Sequence, residues 1–224
     1  MASRMKPGEG IRVPLSRERV LGAAIVLADT DGIELLTMRR LAQALGVEAM
    51  SLYHHVARKE DILNGIVDMV VEEIELPPPG VDWHDAIRRT AISAHQVLLR
   101  HPWAATRLLS SAVVSRPRLR YMNAILGSLR GAGFSPELTD HAYHALESHI
   151  MGFTLWVVGM NLGSHDDLAA LATAFLDDLP REDLPHLAEH VEQHLKPQKP
   201  GDEGAFAFGL DLILDGLGRI RATG

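Results

Sequence analysis

The chain has 224 residues, 46% of them hydrophobic and 23% charged, which is typical of a folded globular protein and excludes collagen-like and broadly disordered classes. The sequence contains no cysteine, which excludes disulfides, thiolate nucleophiles and cysteine-ligated metal centres. Because no apolar run approaches the roughly 18 residues of a membrane span and no secretion signal is visible, we expect a cytoplasmic protein.

The net charge of −7 is distributed unevenly along the chain. Residues 1–60 contain nine Lys or Arg and seven Asp or Glu, whereas residues 61–224 contain 13 basic and 22 acidic residues. This asymmetry is compatible with a small polyanion-binding head on an acidic body, although charge alone does not establish one.

Apolar residues recur with helical spacing and no segment alternates over strand length, so the sequence predicts an all-α protein. Near the N-terminus, Ser16 and Thr37 are predicted N-caps, and Asp31–Gly32 and Gly46 are predicted stops. The helices that these signals and the apolar spacing predict are 16–31, 38–45, 48–55 and 59–74.

The proline block Pro77–Gly80 ends the fourth helix, because proline supplies no amide donor and clashes with the preceding turn. It is the predicted boundary between one domain at 1–76 and a second at 81–224. The helices predicted in the second domain are 83–100, 103–114, 118–132, 136–163, 167–177, 186–195 and 205–221.

Residues 37–56, TMRRLAQALGVEAMSLYHHV, have the spacing of a helix-turn-helix, with Gly46 at the turn. Its small core is predicted to consist of Leu41, Ala42, Leu45, Val47 and Leu52. The second helix then keeps an outward face and spans roughly 10 Å, short enough to enter a major groove about 12 Å wide. The residues of this face are Ala49, Met50, Ser51, Tyr53, His54 and His55.

Basic residues flank the predicted face at places where the phosphates of a duplex would lie. They are Arg39, Arg40, Arg58 and Lys59. The alternative is a helical hairpin that serves only for packing, and the flanking charge favours DNA binding over it.

From Leu15 to Ile74 the chain resembles the DNA-binding domain of the tetracycline-repressor (TetR) family, through the segments LTMRRLAQALGV and SLYHHVARKEDIL. The resemblance continues in VDWHDAIRR, in the SRP at Ser115–Pro117 and in EGAFAFGLDLILDGLGRI, so it covers nearly the whole chain. It implies an N-terminal three-helix helix-turn-helix DNA-binding domain and a tetracycline-repressor-like C-terminal helical domain for ligand binding and dimerisation. The resemblance implies that the protein is a transcriptional regulator associated with the nucleoid. Members of the family are usually repressors.

The resemblance also assigns DNA-contact positions, and three identities there depart from the family's tetracycline-responsive members. Ala49, Met50 and His54 stand in place of Gln, Pro and Trp, so we expect a different operator, read partly by apolar contact with thymine methyl groups. The residues at DNA-contact positions are Arg39, Ala49, Met50, Ser51, Tyr53, His54, His55 and Lys59.

Glycines recur at seven-residue intervals on two apolar helices, at positions 152 and 159 and again at positions 209 and 216. Small residues on one stripe let helices approach closely, which suggests a homodimer built from these two helices and their mates. The predicted interface comprises Gly152, Gly159, Gly209, Leu210, Ile213, Gly216 and Leu217. The alternative is that the glycines accommodate helices of the same chain or a ligand.

The family's tetracycline-responsive members hold a magnesium–drug chelate with His and Glu side chains and contact the drug through Asn, Phe and Gln. The matching positions here hold Ala112, Gly152 and Met160, and Thr90, Ala94 and Ser128, so we expect no response to magnesium-tetracycline. The predicted effector is a mainly apolar small molecule. Its predicted contacts, each also compatible with an ordinary core position, are Thr90, Ser115, Tyr121, Ser128, His144, Met151 and Trp156.

Histidines at 186, 190 and 194 have a spacing that could present two imidazoles to a metal ion, but the stretch is polar and a solvated face explains it better. For His141, His144 and His149, ligand or core roles are preferred, and we predict no metal site and no cofactor. No GxSxG, HExxH, GxxxxGK[ST] or GxGxxG motif is present, which disfavours an enzyme. A metal-sensing or protein-interaction module without DNA binding is the remaining alternative to a regulator that binds double-stranded DNA, an effector and its own copy.

Overall fold

The structure, a computed structural model, describes residues 14–110, 115–160, 165–196 and 204–223. This part of the chain is all-helical, as the sequence predicted, and one 3-10 turn at Ile33–Leu35 is an addition to the prediction. The α-helices are α1 Arg17–Asp31, α2 Met38–Leu45, α3 Ala49–Leu52, α4 Lys59–Glu72, α5 Trp83–Arg100, α6 Pro102–Ser110, α7 Arg116–Gly131, α8 Pro136–Gly159, α9 His165–Asp178, α10 Pro185–Gln193 and α11 Gly204–Thr223. The predicted ends of two helices, at 111–114 and 161–163, lie outside the described residues.

The chain divides into two compact units between Val67 and Asp68, inside α4. The predicted domains place this helix wholly with the N-terminal domain. In the structure α4 therefore contributes its first part to one unit and its last part to the other.

Local signals position the helices of the N-terminal unit. Ser16 and Thr37 are N-caps whose hydroxyls accept from Arg19 N and Arg40 N, at 3.2 Å in both cases, which confirms both predicted caps. Gly46 ends α2 in the left-handed conformation at φ 66°, where a side chain would be strained. The core beneath these helices is apolar and fully buried: Val20, Ala24, Leu41, Leu52 and Ile66.

Helix α3 is shorter than predicted, covering Ala49–Leu52 instead of 48–55. Beyond it the chain tightens, because Tyr53 N donates to Met50 O at 3.2 Å and His55 N donates to Leu52 O at 2.9 Å, both over three residues. Val56 then turns inward and is buried. The predicted outward face is thus formed by one helical turn and the tight turn that follows it.

In the C-terminal unit, α5, α8 and α11 pack against one another. Helices α6 and α7 each pack against both α5 and α8. Helices α9 and α10 pair with a small core of their own at Ala172, Leu176, Ala188 and Val191. Among the helices in the described part of the chain, none is long and apolar enough to cross a membrane.

Candidate DNA-reading face and effector cavity

The face around α3 combines buried anchors with exposed side chains. Leu52 and Val56 are buried in the N-terminal unit, whereas Met50 is 72% exposed and Tyr53 46% exposed. This division is what a reading helix requires, because packing takes one side of the turn and leaves the other for base edges. All eight predicted DNA-contact residues are exposed or half-buried: Arg39, Ala49, Met50, Ser51, Tyr53, His54, His55 and Lys59.

The four flanking basic residues differ in their surroundings. Arg40 forms an ion pair with Asp31 and donates to Leu35 O at 3.3 Å, so it fastens α2 to the end of α1. Arg58 donates its backbone N–H to the Asp61 carboxylate at 3.0 Å, which caps the first turn of α4. Arg39 and Lys59 are exposed. Because Arg40 is engaged within its own unit, the three exposed residues Arg39, Arg58 and Lys59 are the better candidates for phosphate contacts.

The C-terminal unit contains a cavity of about 270 Å³, just below the roughly 300–1,000 Å³ typical of ligand sites. Most of its wall is hydrocarbon. The lining residues are Val71, Ile74, Ala94, Leu98, Leu108, Leu109, Arg118, Leu119, Tyr121, Met122, Tyr143, Glu147, Ile150 and Met151.

Three polar groups of the cavity interact electrostatically. The Tyr121 hydroxyl donates to Glu147 Oε1 at 2.9 Å. Burial raises the pKa of Glu147, and the hydrogen bond from Tyr121 offsets part of that shift. Burial, followed by the adjacent Glu147 charge, also raises the pKa values of Tyr121 and Tyr143, so both phenols stay protonated at neutral pH.

The structure brings only some of the predicted effector residues to this cavity. Tyr121 and Met151 line it, and Ser115 is linked to it indirectly, because its hydroxyl donates at 2.6 Å to Asp68, which lies 3.6 Å from Arg118. Thr90 is buried inside α5 and donates to Ala86 O at 3.1 Å.

The other predicted contacts lie elsewhere in the C-terminal unit. Ser128 lines a separate, more polar cavity beside Pro77–Gly80, His144 is exposed next to Asp140, and Trp156 is exposed. Sequence reasoning missed Tyr143 and Glu147. The available signal was a carboxylate four residues after a tyrosine on an otherwise apolar helix.

Helices α8 and α11 pack against each other, and both carry residues that are exposed to solvent. Five of these exposed residues are here called the α8–α11 face: Gly152, Trp156, Gly159, Phe208 and Leu212. Two of the seven predicted interface residues, Gly152 and Gly159, belong to it, and an added Cβ at either would meet nothing within 4 Å. Ile213 and Gly216 are half-buried, whereas Leu210 and Leu217 are buried inside the chain itself.

Gly209 corresponds to the alternative in which a glycine accommodates a helix of its own chain. A Cβ at this position would lie 2.6 Å from Cε1 of His149 on α8. The His149 ring is held there by a 2.9 Å hydrogen bond between Nε2 and Phe206 O, and it stacks on Phe206. His149 therefore has a packing role at this point.

His95 completes this aromatic cluster. It stacks on Phe206 with ring centroids 4.0 Å apart and hydrogen-bonds the Thr154 hydroxyl at 2.8 Å. Burial, with a contribution from His149, lowers the pKa of His95 to about 4, so the ring is neutral at physiological pH. Within the described residues, no group of three His, Asp or Glu side chains could hold a metal ion.

Comparisons with known proteins agree with the helix-turn-helix fold. Residues 20–66 match the family described as bacterial regulatory proteins, tetR family, and residues 76–220 match the tetracyclin repressor-like C-terminal domain. An HTH-type transcriptional regulator of Saccharopolyspora erythraea is 33% identical over 91% of this chain and 84% of its own. The class D tetracycline repressor protein of Escherichia coli is 32% identical over 91% of this chain and 89% of its own.

Among solved structures, the Streptomyces coelicolor TetR family protein ActR, in complex with actinorhodin, is 26% identical with a TM-score of 0.72. The match covers 93% of this chain and 99% of that one. The chain belongs to the TetR family of bacterial transcriptional regulators. It is accordingly a regulator and not an enzyme, in agreement with the sequence prediction.

Proposed function

We propose that the protein is a homodimeric repressor that binds a palindromic operator and is released by a small, mainly apolar effector other than magnesium-tetracycline. The observation that carries the proposal is the face around α3, where Met50 and Tyr53 are exposed while Leu52 and Val56 are buried. In the part of the N-terminal unit that the structure describes, the side chains of Met50 and Tyr53 lie outside the buried core. It has the dimensions and chemistry to contact base edges in a major groove.

Selection from a random pool of duplexes tests this function. A homodimer with one reading face per protomer should enrich a palindrome whose half-sites are centred about 34–36 Å apart, or a multiple of that distance. Enrichment of a single unpaired half-site would contradict the dimer, and recovery of unselected sequences would contradict specific reading.

The α8–α11 face supports the dimeric part of the proposal. Its tryptophan, phenylalanine and leucine are exposed on one protomer, and its two glycines leave room for another helix. Burying such a face against its symmetry mate removes apolar surface from water. The buried Leu210 and Leu217 would act indirectly, by holding α11 in place.

Two observations support an effector other than magnesium-tetracycline. Gly152 and Met160 supply no imidazole or carboxylate at positions where the resemblance expects chelating groups, and Ala112 lies outside the described residues. The cavity wall is mainly hydrocarbon. The relative ActR, solved with actinorhodin, shows that this fold accommodates other small molecules.

Helix α4 offers a covalent route for coupling the effector to the operator. Lys59, a predicted phosphate contact, is its first residue, and Val71 near its end lines the cavity. An effector that favours a conformation in which the two reading faces are wrongly spaced must lower operator affinity by the same coupling factor.

Replacing Lys59 by alanine should weaken binding to every duplex by a similar factor. Because a phosphate contact carries no sequence information, the loss is expected to be several-fold, and the slope of log K against log salt should fall by about 0.9 per contact. Titrations of specific and unrelated duplexes at three salt concentrations measure both quantities. Lys196→Ala, which removes an exposed lysine from the C-terminal unit, is the matched control and should change neither.

Replacing Met50 by alanine should alter sequence preference more than overall affinity. Its exposed thioether side chain is suited to apolar contact with a thymine methyl group, and a wrong base pair typically costs about 1–3 kcal/mol. Repeating the duplex selection with Met50→Ala should relax preference at one position in each half-site. An equal loss on all sequences would show that Met50 does not face the bases.

A further inference from the structure

The polar groups of the effector cavity are confined to one side of it. Helices α4, α5 and α6 contribute hydrocarbon from Val71, Ala94, Leu98, Leu108 and Leu109, as does Ile74. The charged and hydroxyl side chains in the described lining come from α7 and α8 alone: Arg118, Tyr121, Tyr143 and Glu147. A ligand in this cavity therefore meets hydrocarbon over most of its surface and a polar cluster at one place.

Glu147 is the member of that cluster whose charge is poorly compensated. Within the described part of the chain its carboxylate accepts a hydrogen bond from Tyr121, and no cation lies within ion-pair distance. Burial disfavours its ionised form, because an unpaired charge in an apolar site is costly. A cation brought by a ligand would remove this cost.

Arg118, which also lines the cavity, is associated with a different carboxylate. Its Nε lies 3.6 Å from Asp68 Oδ1, and the same oxygen accepts the Ser115 hydroxyl at 2.6 Å. Asp68 therefore lies within ion-pair distance of the guanidinium and balances part of its charge. Glu147, by contrast, has no such pairing with a cation in the part of the chain that the structure describes.

Tyr143 adds a second feature suited to a cation. It lies one helical turn before Glu147, and its hydroxyl makes no hydrogen bond to another residue that the structure describes. The hydroxyl oxygen can accept from an ammonium group, and the electron-rich ring face attracts cations.

We infer that the cavity takes hydrophobic amines, whose cationic nitrogen pairs with the Glu147 carboxylate beside Tyr121 and Tyr143 while an apolar body fills the remainder. This inference rests on the proposed function, in which the same cavity receives the effector. In this inference, Glu147 determines which ligand charge is preferred, and the hydrocarbon walls determine which ligand shapes fit.

Three naphthalene probes that differ mainly in charge test the inference on the full chain by calorimetry at pH 7.5. They are 2-(1-naphthyl)ethylamine, 2-(1-naphthyl)ethanol and 1-naphthylacetate. The amine should bind at least tenfold more tightly than the alcohol, and the acetate should bind most weakly. Equal binding of amine and alcohol, tightest binding of the acetate, or no binding of any probe at millimolar concentration would overturn the inference.

The isosteric variant Glu147→Gln locates the preference. It should bring the amine to within about twofold of the alcohol while leaving alcohol binding unchanged, whereas Glu137→Gln, an exposed carboxylate on the same helix, should preserve the tenfold ratio. A tenfold ratio that survives Glu147→Gln would overturn the assignment. If that variant does not fold, the wild-type probe series decides the charge preference alone.

A pH series on the wild-type protein supplies a second readout. The amine stays protonated. Among the described residues, the titratable groups that line the cavity with Glu147 are Arg118 and Tyr121 from α7 and Tyr143 from its own helix. As the pH is lowered, Glu147 takes up a proton and loses the charge that attracts the amine. Because the pKa of Glu147 is raised, this loss of amine preference should begin at a higher pH than it would for an exposed glutamate. A preference that stays constant through the protonation of Glu147 would overturn the inference.

The duplex selection described above separates the two levels of failure. Selective duplex binding without an amine preference would contradict only the inferred ligand class. Loss of selective duplex binding would contradict the proposed function, whatever the probes show.

Discussion

Replacing Phe208 by glutamate is expected to convert the protein into a monomer. The phenylalanine is 68% exposed on one protomer and belongs to the α8–α11 face, so a carboxylate there would be buried without a partner in the proposed dimer. Light scattering coupled to size exclusion measures the mass of the species. Since a monomer engages one half-site at a time, operator affinity should fall by about 100-fold or more.

Ile220→Glu is the matched control for this prediction. Ile220 is 54% exposed on the same helix, but at about 100° per residue its side chain is turned by roughly 120° from that of Phe208. This variant should remain dimeric. A dimeric Phe208→Glu protein, or equal dissociation by both variants, would show that the interface lies elsewhere.

Replacing Gly209 by alanine is expected to destabilise the protein by about 1–3 kcal/mol, the usual cost of overpacking. The new methyl group would lie 2.6 Å from Cε1 of His149. That ring can move only by giving up its hydrogen bond to Phe206 O and its stacking on Phe206. Guanidinium unfolding at a fixed protein concentration measures the change.

Gly127→Ala provides the comparison, because an added Cβ inside α7 meets nothing within 4 Å. There the alanine should stabilise the helix by up to about 1 kcal/mol. Equal stability changes in the two variants would contradict the close approach of α11 to α8 at Gly209.

The local features of the fold were predictable because a few neighbouring residues determine them. The caps at Ser16 and Thr37 and the left-handed Gly46 depend on hydrogen bonds and backbone angles within one helical turn. The exposed side of the helix-turn-helix followed from the same local spacing. The tight turn after Leu52 did not follow from this spacing, because it depends on how Val56 reaches the core.

The candidate effector cavity could not be predicted from local sequence patterns. Glu147 and Tyr121 are on different helices, and only their packing shows that they share a hydrogen bond. The seven-residue glycine spacing was similarly ambiguous. It places Gly152 on an open surface and Gly209 against His149, although the sequence pattern around the two is alike.

Photocrosslinking from the reading face tests most directly the central claim that the turn around α3 contacts base edges. The measurement uses p-azidophenylalanine in place of Tyr53, the duplex enriched by selection, and the same label in place of Phe175 on α9 as a control. Crosslinks from position 53 should map to bases inside each half-site, with none from position 175. Crosslinks from position 53 that are absent, or that fall equally on an unrelated duplex, would contradict the claim.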